Sequence, residues 1–159
     1  MKRIVLSQGK FALVDDADFE WLNQWKWHAS KVSQTYYAAH TIHKSNRKWT
    51  SIQMHHLILE AGIGMQIDHK NNDGLDNQRN NLRICTRSQN QMNARKRKNG
   101  TSQYKGVYWY ARYNKWHSAI TANQRRHCLG YFQNETDAAI AYDKKAKELF
   151  GKFAKLNFF

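Results

Sequence analysis

The chain has 159 residues, with 26 Lys and Arg against 12 Asp and Glu and a net charge of +14. That length suits one medium domain or two to three small ones and argues against a large substrate pocket, while the charge, with a pI of about 9.9, favours a polyanionic partner. No apolar run approaches the roughly 18 residues a membrane span needs, no signal-peptide pattern follows Met1, and Cys85 and Cys128 are too few for a disulfide framework or a four-cysteine zinc site, so a soluble cytoplasmic protein is expected.

Without proline, boundaries must be read from glycine and polar clusters. Residues 3–14 alternate apolar and polar around Gln8-Gly9-Lys10, which predicts a hairpin. Asp15, Asp16 and Asp18 then lead into Phe19, Leu22 and Trp25 at helical spacing. Residues 35–42 and 49–54 read as strands flanking a turn at 44–48, and 55–61 as a short apolar helix, so the N-terminal module is β-rich. The next segment is polar and rich in asparagine. Its order is strand (66–69), loop, strand (82–86) and a helix from about Ser88. The basic run 95–98 and the tether-like Asn99-Gly100-Thr101-Ser102 mark a domain boundary, giving domains at 1–98 and 104–159 with a linker at 99–103.

Three further strands are expected at 105–110, 116–121 and 127–132, then a helix from about Glu135 to Phe150 with Asn134 as N-cap and Gly151 as a left-handed C-cap. Period-two alternation puts Val107, Trp109, Ser118, Ile120, Leu129 and Tyr131 on a core face, met by Ala138, Ala139, Tyr142, Ala146 and Leu149 of the helix. It puts Tyr108, Tyr110, His117, Thr121, Arg126 and Cys128 on an open face. Exposed aromatics mixed with Arg112, Lys115, Arg125 and Arg126 suit a sheet laid into a DNA groove. The fold class is therefore α+β: a β-rich N-terminal module, a strand-loop-strand-helix element, and a three-stranded antiparallel sheet packed on one helix.

Hydrolysis of a phosphodiester needs an activated water, a cation for the developing charge, and groups that hold both. Residues 68–90 hold candidates for each. Histidine titrates near neutrality, so His69 is the candidate base. Asp68 offers a hard oxygen ligand of the kind Mg²⁺ prefers, and the side-chain oxygen of Asn90 completes the protein's share.

The run Ile67-Asp68-His69-Lys70-Asn71-Asn72-Asp73, with Leu75-Asp76-Asn77, Asn80-Asn81-Leu82-Arg83 and Thr86-Arg87-Ser88-Gln89-Asn90, resembles the HNH endonuclease family over roughly residues 55–98. The resemblance implies a ββα-metal fold with one divalent ion, Mg²⁺ or alternatively Mn²⁺, held by Asp68 and Asn90, and His69 as general base. Asn81 takes the motif's middle place, bonding to backbone or to His69 and so fixing the imidazole. Asn90 replaces the last histidine of the family name, a variant common in the phage branch of these homing endonucleases. His55 is expected to brace the core or touch phosphate, while Asn71, Asn72, Asn77 and Asn80 read as turn formers outside the site.

Tyr104-Lys105-Gly106-Val107, Lys115-Trp116, Leu129-Gly130-Tyr131-Phe132, the run Asp137 to Asp143, and Leu156-Asn157-Phe158 resemble the Apetala/ethylene-response-factor DNA-binding domain. Its contact positions carry over to Lys105, Tyr108, Tyr110, Arg112, Thr121, Arg126 and Cys128. Tyr108, Tyr110, Thr121 and Cys128 depart from the plant pattern, so that family's recognition sequence does not transfer. The combined reading is a metal-dependent, sequence-directed homing endonuclease acting on double-stranded DNA as a monomer, nicking it to 5′-phosphate and 3′-hydroxyl ends. The competing readings are an inactive HNH scaffold serving as a DNA-binding regulator, and an RNA-binding accessory protein.

Overall fold

The computed structural model describes residues 1–44, 48–96 and 98–158. The centre of the turn expected at 44–48, Arg97 of the basic run, and Phe159 lie outside the described residues. The chain forms two compact units, Met1–Asn90 and Gln91–Phe159. None of the described helices is long and apolar enough to cross a membrane.

In the first unit, β1 (Lys2–Val5) and β2 (Phe11–Val14) form the hairpin read from their alternation, with Ile4, Ala12 and Val14 buried. Helix α1 (Asp16–Leu22) follows, ending before Trp25, which is partly exposed. A three-stranded antiparallel sheet comes next, β3 (His28–Val32), β4 (Thr35–Lys44) and β5 (Lys48–Gln53), with β4 in the middle. Strand β3 was not anticipated: its short, largely polar sequence takes extended form because β4 supplies its ladder partners. Helix α2 is shorter than the expected 55–61, covering Met54–Ile58.

Hairpin β6 (Met65–His69) and β7 (Leu82–Thr86), with helix α3 (Arg87–Asn93) after it, realises the strand-loop-strand-helix order. Leu22, Trp27, Ala38, Met54, Ile67 and Leu82 belong to one buried cluster, so one face of this hairpin is packed into the core of the N-terminal module. At about 25 cal/mol per Å² of apolar surface removed from water, such burial is what holds short elements that could not stand alone.

The second unit is an antiparallel sheet in the order β10-β9-β8: β8 (Val107–Tyr110), β9 (Lys115–Ala122) and β10 (Arg125–Phe132). Asn123 and Gln124 both have positive φ, +49° and +63°, the backbone of a type I′ hairpin turn. Helix α4 (Glu135–Phe150) packs Ala138, Ala139, Tyr142 and Ala146 against the sheet. Asn134 occupies the N-cap without a side-chain capping bond; its amide instead meets Asp137 at 3.2 Å. Gly151 has positive φ (+50°) but ψ −125°, so it is not the left-handed cap expected.

Strict alternation fails at one place in this sheet. Cys128 pairs with Ala119 but Gly130 pairs with Ser118, so Leu129 is the extra residue of a β-bulge and Gly130 takes φ +130°. The shift puts Tyr131 opposite His117, on the outer face rather than the core face. Two other residues keep their faces but not the burial expected there: Trp109 is partly exposed at the sheet's end, packed edge-on against Trp116 at 5.1 Å, and His117 is buried beneath outer-face rings.

Candidate functional site

Strand alternation sends Gln66 and Asp68 to one face of the β6-β7 hairpin and Ile67 and His69 to the other. Register places Arg83 directly opposite Asp68. Arg83 donates from Nε (2.8 Å) and Nη2 (2.6 Å) to Oδ2 of Asp68, a carboxylate only 5% exposed. A buried carboxylate without a cationic partner would be costly, and this pairing both offsets the charge and fixes its direction. From α3, the amide nitrogen of Asn90 donates to Gln66 Oε1 at 2.9 Å. Asn90 is therefore tied to the face that carries Asp68, and the bond uses its nitrogen, leaving the carbonyl oxygen as the acceptor of that side chain. The oxygens of Asp68 and Asn90 form a sparse, hard donor set, which fits Mg²⁺ better than a soft metal. Among the described residues no three His, Cys, Asp or Glu side chains gather into a metal cluster.

His69, the last residue of β6, is 5% exposed. Its Nε2 lies 3.2 Å from Oδ1 of Asn77. A carboxamide oxygen only accepts, so Nε2 carries the proton and the neutral ring keeps its lone pair on Nδ1. Burial pushes the imidazole below its usual range, opposed by the Asn77 bond and by Asp68, Asp73 and Asp76. The ring is thus neutral at pH 7, as a base must be. Tyr37 (5.7 Å between ring centroids) and His55 (4.9 Å) pack edge-on around it. His55 is itself buried; loss of solvation, with the neighbouring His69 and His56, pushes it down to about 3, and among the described residues its Nδ1 has no hydrogen-bond partner.

Asn81 serves the loop. Its Nδ2 donates to Asp76 O (2.8 Å) and Asn71 Oδ1 (3.0 Å), and its Oδ1 accepts from the Asn71 N–H (3.1 Å). Of the two partners the sequence left open for Asn81, it takes the backbone. The side chain that meets the imidazole is Asn77, read from sequence as a turn former. Asn77 is fully buried, donates from its backbone N–H to Leu13 O (2.8 Å), and sits beside Leu75, whose carbonyl accepts the Leu13 N–H (2.8 Å). Strand β2 therefore holds the loop that orients His69. Asp18 adds a second clamp, accepting from Arg79 Nε and Nη2 at 2.7 Å each. Nothing in the local sequence marks Asn77, because its role comes from a strand 64 residues away.

On the outer face of the second unit, Tyr110, Tyr113 and Tyr131 surround one another at 4.9–5.4 Å, and His117 lies 4.7 Å from both Tyr108 and Tyr131. His117 Nε2 shares a 3.0 Å hydrogen bond with Cys128 Sγ, and Arg126 Nη2 donates to the Tyr108 hydroxyl at 2.6 Å. Arg112, Thr121, Arg125 and Arg126 are exposed and Lys115 half-buried. Lys105 differs from them: half-buried, it donates from Nζ to Met92 O at 2.7 Å, and burial, with the nearby Lys155 charge, pushes it down to about 8. Tyr131 and Tyr113 join this face unforeseen; Gly130 inside a strand was the sequence signal for the bulge that turns Tyr131 outward.

The pattern of the HNH endonuclease family matches residues 54–92. Over 156 residues, 94% of this chain and 76% of the relative, the chain is 30% identical to Uncharacterized HNH endonuclease L560 of Acanthamoeba polyphaga mimivirus. It is 28% identical to Protein 3.8 of Escherichia phage T7 over 93 residues, 58% of this chain and 75% of that protein. No solved structure matches the chain.

Proposed function

The chain belongs to the HNH endonuclease family, and from that premise we propose that it is a metal-dependent, sequence-directed DNA endonuclease of the homing type that cuts one strand per encounter. The observation that carries the reading is the buried, neutral His69, oriented through Nε2 by Asn77, on a hairpin whose opposite face presents Asp68. In this reading Nδ1 of His69 takes a proton from the attacking water. Asp68 and Asn90 hold a divalent ion, Mg²⁺ or Mn²⁺, which when bound supplies positive charge to the phosphate and leaving oxygen. Arg83 keeps the Asp68 carboxylate aimed while that charge is shared, and Asn81 keeps the 69–81 loop closed around the base. In-line attack by water on phosphorus breaks the P–O3′ bond, the departing 3′ oxygen takes a proton from solvent water, and the ends are a 5′-phosphate and a 3′-hydroxyl.

Residues 104–159 act in the proposal as the DNA-binding domain, of the Apetala/ethylene-response-factor type, with 99–103 as linker. Tyr108, Tyr110, Arg112, Lys115, Thr121, Arg125 and Arg126 stand on or beside the outer face and are assigned to double-stranded DNA; Lys105 braces the edge of that surface through Met92. One catalytic constellation per chain supports nicking by a monomer. Phosphate contacts of this number make the affinity fall steeply with salt.

The test incubates supercoiled plasmid libraries with wild-type protein and His69→Ala, with Mg²⁺ or with EDTA, and maps ends by sequencing. Metal-dependent ends from the wild type alone are expected. Full cutting by His69→Ala would sink the mechanism, and duplex binding without ends from either protein would favour the inactive regulator.

A further inference from the structure

The second unit carries a groove of about 650 Å³ beside its outer sheet face. One wall is the connecting segment, with Ala94, Arg95, Lys96 and Gly100; the other is the sheet, with Tyr108, Thr121 and Arg126. Among the described lining residues are four cations, Arg95, Lys96, Lys105 and Arg126, and no carboxylate. Register explains the sheet wall: Tyr108 pairs with His117, and Thr121, four residues further along β9 and on the same face, pairs with Arg126. Arg126 is steadied there, its guanidinium bonded to the Tyr108 hydroxyl and 5.5 Å from that ring's centroid.

This shape separates two kinds of nucleic-acid ligand. A sheet that reads a duplex enters a major groove about 12 Å wide and must protrude. Here the connecting segment stands against part of the outer face and makes that part concave, while Arg112 and Tyr113 lie outside the groove. Its volume falls in the range of small-ligand clefts, about 300–1,000 Å³, which cannot admit a double helix. Cations for phosphates beside an aromatic face for bases is the chemistry of single-strand binding.

We propose that this groove binds a short unpaired stretch of one DNA strand, with Arg95, Lys96 and Arg126 on its phosphates and Tyr108 against a base. The assignment rests on the nucleic-acid reading above and refines it: Tyr108, Thr121 and Arg126, given there to DNA, meet one strand of it once melted or displaced, while Tyr110, Arg112 and Arg125 keep the duplex contacts at the open end of the face.

The test measures fluorescence anisotropy of full-length wild-type protein in EDTA with a labelled oligothymidylate, the same strand in duplex form, and an oligouridylate. Ala94→Trp and Ala119→Trp fill the groove from opposite walls, at an exposed and a half-buried position, and thermal melting checks that each folds. Tyr108→Ala is expected to weaken single-strand binding roughly 5- to 150-fold, the range for one stacked base. Arg126→Ala should lower the slope of log affinity against log salt by about 0.7 for that ligand. Both tryptophan variants should lose the single strand by at least about tenfold, on the same stacking scale, and move duplex affinity far less, while Arg112→Ala does the reverse. The proposal is overturned if folded tryptophan variants bind the single strand as wild type does, if they lose both ligands equally, or if RNA is much preferred to DNA. Wild type that binds duplex but no single strand defeats the groove assignment alone; wild type that binds neither defeats the nucleic-acid reading as well.

Discussion

Replacing Asn77 by alanine removes the carboxamide that meets His69 Nε2 at 3.2 Å and Leu75 O at 3.3 Å, in a position with no exposure to solvent. The imidazole N–H would be left buried without that acceptor, at a cost of about 1–3 kcal/mol. The ring would also lose the bond that fixes both its tautomer and its direction, and losses of such orienting partners reduce activity roughly 10- to 100-fold. Nicking of supercoiled plasmid, followed under single-turnover conditions, should therefore slow by that factor, with urea denaturation reporting the smaller loss of stability. Asn77→Asp sharpens the test. Its carboxylate keeps an acceptor near the same place but favours the charged imidazole, raising the pKa of His69. Because the base must be neutral, the acid limb of the rate profile, which in wild type lies below the ordinary histidine value of about 6.5, should move upward: cutting persists at pH 8 and is lost at pH values where wild type still works. Wild-type rates and an unshifted profile in both variants would refute the assignment of Asn77 as the residue that positions the base.

Other consequences are open to measurement. His55 is held neutral by burial, with its pKa down at about 3, so the unfolded chain binds its proton more tightly; stability is complete well above pH 6.5 and falls as pH drops toward 3, by roughly 1 kcal/mol at pH 5.5. Urea titrations at pH 7.5 and 5.5 should show that difference shrinking by this amount in His55→Phe, and an unchanged pH dependence in the variant would contradict it. Gly106 has φ +78°, and a Cβ there would lie 1.9 Å from Cδ2 of Tyr142; Gly106→Ala should cost at least about 2 kcal/mol from backbone strain and overpacking together. A wild-type urea midpoint for that variant would mean the sheet and α4 are less tightly apposed than described. Lys105, pushed down to about 8, is charged at pH 7 and largely neutral at pH 9, so nucleic-acid affinity at constant salt should fall across that interval and fall less in Lys105→Arg. Equal slopes in the two proteins would remove Lys105 from the binding electrostatics.

What the sequence made legible is what depends on neighbours along the chain. Alternation over residues 3–14 and helical spacing over Glu135–Phe150 are local patterns, and both elements form where the patterns lie. The positions of Asp68 and His69 on one strand and Asn90 on the following helix were readable for the same reason. Partners chosen across the fold were not. The Asp68–Arg83 pair depends on the register of β6 with β7, Asn77 on pairing with β2, and β3 on a ladder that only β4 provides. Tyr131 shows the limit of period-two reasoning: one inserted residue in β10 reverses the face of everything after it.

The clamp between β2 and the 69–81 loop bears on the order in which the molecule can assemble. Leu13 meets Leu75 and Asn77, and Asp18 meets Arg79 across 61 residues. Contacts of such sequence separation close long chain segments, and topologies rich in them fold slowly because the entropy of closure precedes the reward. During synthesis the β1-β2 hairpin emerges before the loop it grips and must wait for it. The stretch 54–92 that carries the family pattern contains neither Leu13, Tyr37 nor Asp18. Cut out alone, it would keep the motif's letters and lose the strand that gives the 69–81 loop its shape, so a transplant of this nuclease into another protein should begin its graft at the first strand, not at the first motif residue.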